Sequence, residues 1–313
     1  MKVVLHGGFH KTATSHLQGV LLRNTNHLAK RGVMYIHHRQ VRKNLTLPCQ
    51  RNANLHAGLS PVPRITDEVL REMTTSLFAP VEHVKPNTLI LSDENLYGHC
   101  AHVARKGALY HFRKRFVRNF VREVPYDITD VFLSIRNYPE FFSAAYTEYL
   151  RSAKGLNAAE RFVDIEDTMA RVLDNPPSWV KLINFASKWF PKAKIHIWRF
   201  EDFRSVSPHV IQLMCGDSIQ YEKLRMPKEK EKRPSPSAKA MQEFFRVRHS
   251  KGIKEALSAR LEIETQYPKN NSSDSFQPWS QEDHAVLSNL YDQHWEDICQ
   301  IPWINLIQPT YEA

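Results

Sequence analysis

The first two dozen residues constrain the fold most, because their pattern predicts a strand, a loop of the size that binds a phosphate, and a helix. The apolar run from Val3 to Leu5 predicts a buried strand. Gly7 and Gly8 end that run and allow a tight turn. Apolar residues at helical spacing then follow, at Leu17, Val20, Leu21 and Leu22. Nucleotide sites form at such strand-to-helix junctions, where backbone N–H groups and the helix dipole favour an anion.

The loop itself carries groups that suit a phosphate. Lys11 adds a positive charge, and the hydroxyls of Thr12, Thr14 and Ser15 add donors that can rotate toward a ligand. The alternative is a helix capped by one of these hydroxyls with Lys11 in solvent. The loop is not a Walker A motif, in which glycine stands directly before the lysine and again five residues further back. Here those positions hold His10 and Leu5.

The stretch instead resembles the 5′-phosphosulfate loop of the PAPS-dependent sulfotransferases of the bacterial and carbohydrate type, roughly H-x-G-x-x-K-T-G-T-[ST]-x-L-Q. Eight positions match in register: His6, Gly8, Lys11, Thr12, Thr14, Ser15, Leu17 and Gln18. The resemblance implies that PAPS is bound by His10, Lys11, Thr12, Ala13, Thr14 and Ser15. Ala13 stands where the family has glycine. We expect little damage from this change, because alanine permits helical φ and ψ and has almost no side chain.

A second stretch resembles the 3′-phosphate element of the same family, a strand followed by R-x-x-x-E-x-x-x-S-x-Y. Residues 130–135 predict the strand, and Arg136, Glu140 and Tyr146 match in register. The family serine falls at Ala144, while Ser143 stands one residue earlier, about 100° away around a helix. The resemblance implies Arg136 and Ser143 as phosphate ligands. A buried ion pair is the alternative for Arg136, but its planar guanidinium suits a phosphate.

The run Thr88–Ser92 predicts a central strand that ends in an acidic pair, Asp93 and Glu94. Ligands of open α/β sheets bind at the carboxyl ends of strands, so Glu94 is placed for chemistry. Capping of the next helix is the alternative for Asp93 or Asn95. The family resemblance implies Glu94 as the general base and Lys11 as the cation beside the leaving group. His99 and His10 are alternative bases, since histidine titrates near neutral pH.

Two polar segments interrupt the pattern. Residues 37–64 are basic, contain three prolines and predict irregular structure, either a solvated loop or a lid that binds the acceptor. Residues 226–237 are charged and broken by proline, and predict a mobile loop. In the family a loop of this kind closes over PAPS, which implies Arg233 as a further ligand, with Ser235 beside it.

The remaining pattern is that of an alternating α/β chain. Further strands are expected at 33–36 and 194–200. Further helices are expected at 65–77, 112–124, 179–190, 238–245 and 280–298. Together these predict a single α/β domain over 1–313, a three-layer P-loop-like fold with a central parallel sheet and helices on both faces.

Composition limits the possible classes of protein. No run approaches the 18 or more apolar residues of a membrane span, and strand residues begin at once, so we expect neither an anchor nor a signal peptide. The four cysteines lie far apart, which fits a reducing cytoplasm rather than a disulfide or zinc framework. The net charge of +10 fits a polyanionic ligand such as PAPS, an acidic membrane surface or nucleic acid, although no base-reading motif is visible.

The resemblance implies a sulfotransferase that moves a sulfuryl group from PAPS to an acceptor hydroxyl of a carbohydrate, lipid or other small molecule and releases PAP, in a scheme that needs no metal. A P-loop kinase or ATPase remains an alternative, because residues 89–94 resemble a Walker B strand. A basic nucleic-acid-binding protein that uses the arginine-rich helix at 112–124 is a further alternative. The sequence leaves the identity of the acceptor and the oligomeric state open.

Overall fold

The chain folds around one six-stranded parallel sheet. The structure is a computed structural model that describes residues 1–56, 63–153, 160–228, 235–271 and 274–309. The strands are β1 (Lys2–Gly8), β2 (Val33–Ile36), β3 (Thr88–Ser92), β4 (Asp130–Ile135), β5 (Lys194–Arg199) and β6 (Ile304–Leu306). Their spatial order is β2-β3-β1-β4-β5-β6, and every pair is parallel. The predicted strands at 33–36, 88–92 and 130–135 are confirmed at their bounds.

Helices cover both faces of this sheet, which confirms the predicted three-layer α/β fold. They are α1 (Thr14–Arg23), α2 (Thr25–Ala29), α3 (His38–Val41), α4 (Leu47–His56), α5 (Asp67–Val84), α6 (Cys100–Lys106), α7 (Arg113–Glu123), α8 (Tyr138–Ser152), α9 (Ile165–Asp174), α10 (Trp179–Trp189), α11 (Phe203–Cys215), α12 (Ala238–Lys251), α13 (Ile253–Gln266) and α14 (Gln281–Cys299). No helix in the described ranges is long and apolar enough to cross a membrane.

Alternate residues of the strands build two separate cores. Val3 and Leu5 of β1 point toward α5, α7, α8, α10 and α14. Val4 points to the opposite face, where it joins residues of α1 and α11. The period of two along a strand produces this division, and the fully buried strands explain their nearly continuous apolar sequence. A smaller cluster joins α8 to the α12–α13 hairpin.

This arrangement places a crevice beside β1. The chain leaves β1 into α1 on one face, and leaves its neighbour β4 into α8 on the other face. Where the helices after two adjacent strands depart to opposite faces, the loops separate and open a binding crevice at the carboxyl edge. The loop after β1 and the residue after β4, Arg136, both lie at this point.

The expectation of irregular structure over 37–64 is wrong for its first part. Residues 38–56 form α3, a π-helical turn at Arg42–Thr46 and α4 without a break. Pro48 lies at the second position of α4, directly after the π turn. Residues 57–62 lie outside the described ranges, as does Arg233 with the middle half of the predicted loop at 226–237.

Candidate functional site

The loop after β1 is held in an unusual backbone conformation. Gly8 has φ +105°, and a Cβ at this position would lie 3.2 Å from the Cβ of Glu94, so glycine lets the end of β3 approach β1. Lys11 and Ala13 have φ of 61° and 64°, in the left-handed region. The Thr12 hydroxyl donates to the Phe9 carbonyl at 2.5 Å and is fully buried, so it stabilises the turn from inside.

Ala13 departs from the expectation stated for it. It lies just outside the helix, as the N-cap of α1, with left-handed φ and ψ instead of the right-handed helical values that alanine accepts easily. The glycine of the related motif would adopt this conformation without strain, so the change to alanine is not neutral for the backbone. Ala13 has no side chain to cap α1.

The loop therefore presents backbone donors toward the crevice. In the described part of the chain, the backbone N–H groups of residues 11 to 15 find no acceptor. Thr14 is buried at the start of α1, and Ser15 is exposed. Free N–H groups at the start of a ten-residue helix, with a lysine beside them, are an arrangement that favours a bound anion.

Lys11 lies between two other elements. Its backbone carbonyl accepts a hydrogen bond from Nη1 of Arg136 at 2.8 Å. Its ammonium Nζ lies 3.1 Å from Oε2 of Glu148 on α8, and the two side chains are 18% and 32% exposed. The sequence-predicted residues Lys11 and Arg136, 125 positions apart, are thus in direct contact.

Arg136 is a partly buried guanidinium without a carboxylate partner in the described ranges. It lies 4.4 Å from the centre of the Phe200 ring, and its Nε is buried without a hydrogen-bond partner. The nearby carboxylate of Glu201 is occupied by the N–H of Asn137 and the hydroxyl of Tyr291. Burial lowers the pKa of Arg136, against the opposing effect of Glu201 and Glu140. A partly buried arginine with a buried, unused donor fits an anionic ligand better than a structural ion pair.

Ser143 does not join this group. Its hydroxyl donates to the Pro139 carbonyl at 2.6 Å, accepts from Nε1 of Trp279 at 3.1 Å, and is in a residue that is 4% exposed. The side chain therefore packs α8 against the segment before α14. This geometry argues against Ser143 as a phosphate ligand, because the one-residue shift turns it away from the crevice.

The acidic pair after β3 is held by two donors from other elements. Arg42, in the π-helical turn, donates to Oδ1 of Asp93 at 2.7 Å and to Oε1 of Glu94 at 2.9 Å. Gln18 of α1 donates to Oε2 of Glu94 at 2.8 Å. Burial alone would raise the pKa of Glu94, but the charge of Arg42 and the Gln18 hydrogen bond lower it below its ordinary value. Glu94 is therefore an ionised carboxylate at neutral pH, at the edge of the crevice.

The side chains of His10 and His99 both contact the side-chain amide of Asn95. Oδ1 of Asn95 accepts from Nε2 of His10 and from Nδ1 of His99, each at 3.0 Å. Because an amide oxygen only accepts, both ring nitrogens carry a proton, and the other nitrogen of His10 accepts from the Tyr110 hydroxyl at 3.1 Å. Burial lowers the pKa of both histidines, that of His99 to about 3. His10 therefore supports the loop from behind, with both ring nitrogens already engaged.

Sequence reasoning missed Arg42 and Glu148. Arg42 lies in the segment that was predicted to be irregular, and such a prediction gives no direction for its side chain. Glu148 had a usable signal, since Glu140, Ala144 and Glu148 recur every four residues and share one face of α8. That face carries the positions of the related 3′-phosphate motif. A third residue on the same face is therefore expected to face the same crevice.

The gathered residues can neutralise and orient a doubly phosphorylated small molecule. Lys11, Arg136 and the free N–H groups supply positive potential, while Glu94 supplies a carboxylate on the neighbouring strand end.

We find no match to this chain among models of protein families, among curated proteins or among solved structures.

Proposed function

We propose that this protein is a PAPS-dependent sulfotransferase, which transfers a sulfuryl group to an acceptor hydroxyl. The observation that carries the proposal is the contact between the Lys11 loop and Arg136, whose partly buried guanidinium has a buried Nε without a hydrogen-bond partner. One cationic group then serves the 5′-phosphosulfate and another the 3′-phosphate. The four free cysteines fit work in a reducing compartment such as the cytoplasm.

In the proposed reaction the acceptor oxygen attacks sulfur as the bond from sulfur to the 5′-phosphate oxygen breaks. The electron pair of that bond remains on the phosphate oxygen, where Lys11 and the backbone N–H groups stabilise the added charge. Glu94 takes the proton of the acceptor hydroxyl, and its two oxygens are oriented by Arg42 at Oε1 and by Gln18 at Oε2. The products are PAP and the sulfated acceptor.

Ligand binding tests the proposal without knowledge of the acceptor. PAP should raise the thermal stability more than ADP does, because only PAP offers a 3′-phosphate to Arg136. A ligand at a hundredfold excess over its Kd stabilises by about 2.7 kcal/mol, which is measurable as a shift in Tm. Arg136→Gln should remove the preference for PAP. Arg199→Gln is the matched control, since Arg199 also lies over a ring but is paired with Asp202.

Equal shifts with PAP and ADP would overturn the assignment, and Mg²⁺-dependent ATP hydrolysis in the same preparation would favour a kinase or ATPase. A positive binding result leads directly to a screen of acceptors with labelled PAPS. Transfer of label to a carbohydrate, lipid or phenol would then identify the acceptor class.

A further inference from the structure

The ion pair between Lys11 and Glu148 places a negative charge beside the loop that is proposed to hold the 5′-phosphate. Glu148 lies one turn beyond Ala144 on α8, on the face that carries Glu140. Its carboxylate Oε2 is 3.1 Å from the Lys11 ammonium, and both side chains are less than one-third exposed. Within the described ranges, no other carboxylate lies at ion-pair distance from Lys11.

A carboxylate here opposes the binding of anions to the same lysine. Any phosphate that contacts Lys11 must share the ammonium with Glu148 or displace it, and the two anions repel each other at short range. A site evolved only for tight binding would gain affinity from a neutral residue at this position. We therefore look for a function of this carboxylate that benefits from weaker binding of an anion at Lys11.

The charges of the proposed substrate and product supply that role. In PAPS the 5′-phosphate is bonded to the sulfuryl group and carries one negative charge on its own oxygens. After transfer the same phosphate becomes a free monoester, with about −1.5 to −2 charges at pH 7. The second negative charge, which the sulfuryl oxygens carry in PAPS, thus comes to lie on the phosphate oxygens in PAP, so repulsion from Glu148 rises at the phosphate group itself.

Resting on the proposed function, we propose that Glu148 is a positioning residue that competes with the product for Lys11 and so promotes the release of PAP. It holds the Lys11 side chain at the crevice before the nucleotide binds. It then disfavours the product phosphate more than the substrate phosphate. The sequence motif of the related family does not contain this position.

The experiment compares the Kd values of PAP and PAPS, measured by calorimetry, in the wild type, Glu148→Gln and Glu148→Asp. Glu148→Gln should tighten PAP by about fivefold or more at low salt, and PAPS by clearly less, because one full charge is removed beside the dianionic phosphate. Glu148→Asp keeps the charge and should keep a PAP-to-PAPS ratio near that of the wild type. Added salt should shrink the gain, since screening weakens the repulsion.

The matched control is Asp127→Asn, which removes the carboxylate of another lysine pair, 2.8 Å from Lys192. That pair lies before β4 and β5, at the opposite edge of the sheet, so PAP and PAPS should bind this variant as they bind the wild type. Unchanged or weaker PAP binding by Glu148→Gln, in a variant with wild-type Tm, would overturn the inference. Absence of PAP binding in the wild type itself would overturn the proposed function instead.

Discussion

Ala13 has a left-handed backbone conformation that an alanine side chain does not favour. An L-residue in the left-handed region is destabilised by about 1–2 kcal/mol, because Cβ approaches the following carbonyl. Ala13→Gly should therefore raise the free energy of unfolding by about 0.5–1 kcal/mol, after the larger entropy that glycine adds to the unfolded chain is subtracted. Urea denaturation of both proteins measures the difference.

Ala170 provides the control for this substitution. It is exposed in the middle of α9, in regular helix, so Ala170→Gly should destabilise by up to about 1 kcal/mol. Opposite signs for the two alanine-to-glycine changes are the expected result. A loss of stability in both would show that Ala13 is not strained.

Glu94 is the residue to which the proposed mechanism assigns the proton. Because Arg42 and Gln18 keep it ionised, it is a weak base, and its contribution should lie near the lower end of the usual range, at about 10²-fold in rate. Glu94→Gln should lower kcat by that factor with the acceptor found in the screen, while the Kd of PAP stays nearly unchanged. Lys11→Ala should impair both turnover and PAP binding.

His99→Ala is the comparison for Glu94→Gln, since the Nε2 of His99 is the other basic atom near the crevice. It should retain most of the turnover, because burial holds the pKa of His99 at about 3 and its Nδ1 is used by Asn95. Full activity of Glu94→Gln together with loss of activity in His99→Ala would show that the proton goes to the histidine.

Among the elements, the segment formed by α3, the π turn and α4 shows where sequence reasoning failed and why. Periodicity finds helices by their apolar faces, but this segment also buries polar residues, among them Gln50 and Asn52. Their amides have backbone partners, with Asn52 donating to the Ile65 carbonyl at 2.9 Å and Gln50 donating to that of Asn95. A polar sequence therefore occupies a buried position, because long-range hydrogen bonds replace apolar contact.

Arg42 connects this segment to the sheet. Asp93 is 1% exposed, and Arg42 is its cationic partner at 2.7 Å. Arg42→Ala should lower the free energy of unfolding by about 3 kcal/mol, because it leaves a buried carboxylate without its countercharge. The midpoint of urea denaturation measures this loss. Arg42→Lys keeps the positive charge but not the planar guanidinium, so it should lose less stability than Arg42→Ala.

A loss below about 1 kcal/mol for Arg42→Ala would mean that Asp93 does not depend on this pair. The comparison with Arg64→Ala makes the test specific. Arg64 pairs with Asp67 where both side chains are largely exposed, and its removal should have little effect on stability.

At the scale of the whole molecule, the sheet could be predicted from the sequence while most contacts of the site could not. Buried parallel strands are short apolar runs, and their carboxyl ends gather at one edge, so the positions of Lys11, Glu94 and Arg136 followed from the strands. The contacts of Lys11 with Glu148 and of Arg42 with Asp93 join residues 137 and 51 positions apart. Such contacts depend on helix rotation and packing, which no local pattern encodes.

The whole molecule should also be sensitive to acid. Burial lowers the pKa values of His6 and His102 to about 4 and that of His99 to about 3, from an ordinary 6.5. Below pH 6.5 the unfolded chain binds protons at these histidines and the folded chain does not, so stability falls as pH drops toward 4. The loss between pH 6.5 and 5 is on the order of 2 kcal/mol per histidine. Asp93 and Asp164, whose pKa values are raised by burial, oppose this trend.

Urea denaturation at pH 7 and pH 5 measures this loss, and His102→Gln is the variant that isolates one group. His102 has a buried Nδ1 without a hydrogen-bond partner in the described part of the chain, and it is outside the proposed catalytic group. The variant should lose less stability between the two pH values than the wild type. The difference should be about the loss that one histidine contributes. Equal losses in both proteins would show that His102 accepts its proton without unfolding, and that the acid sensitivity has another source.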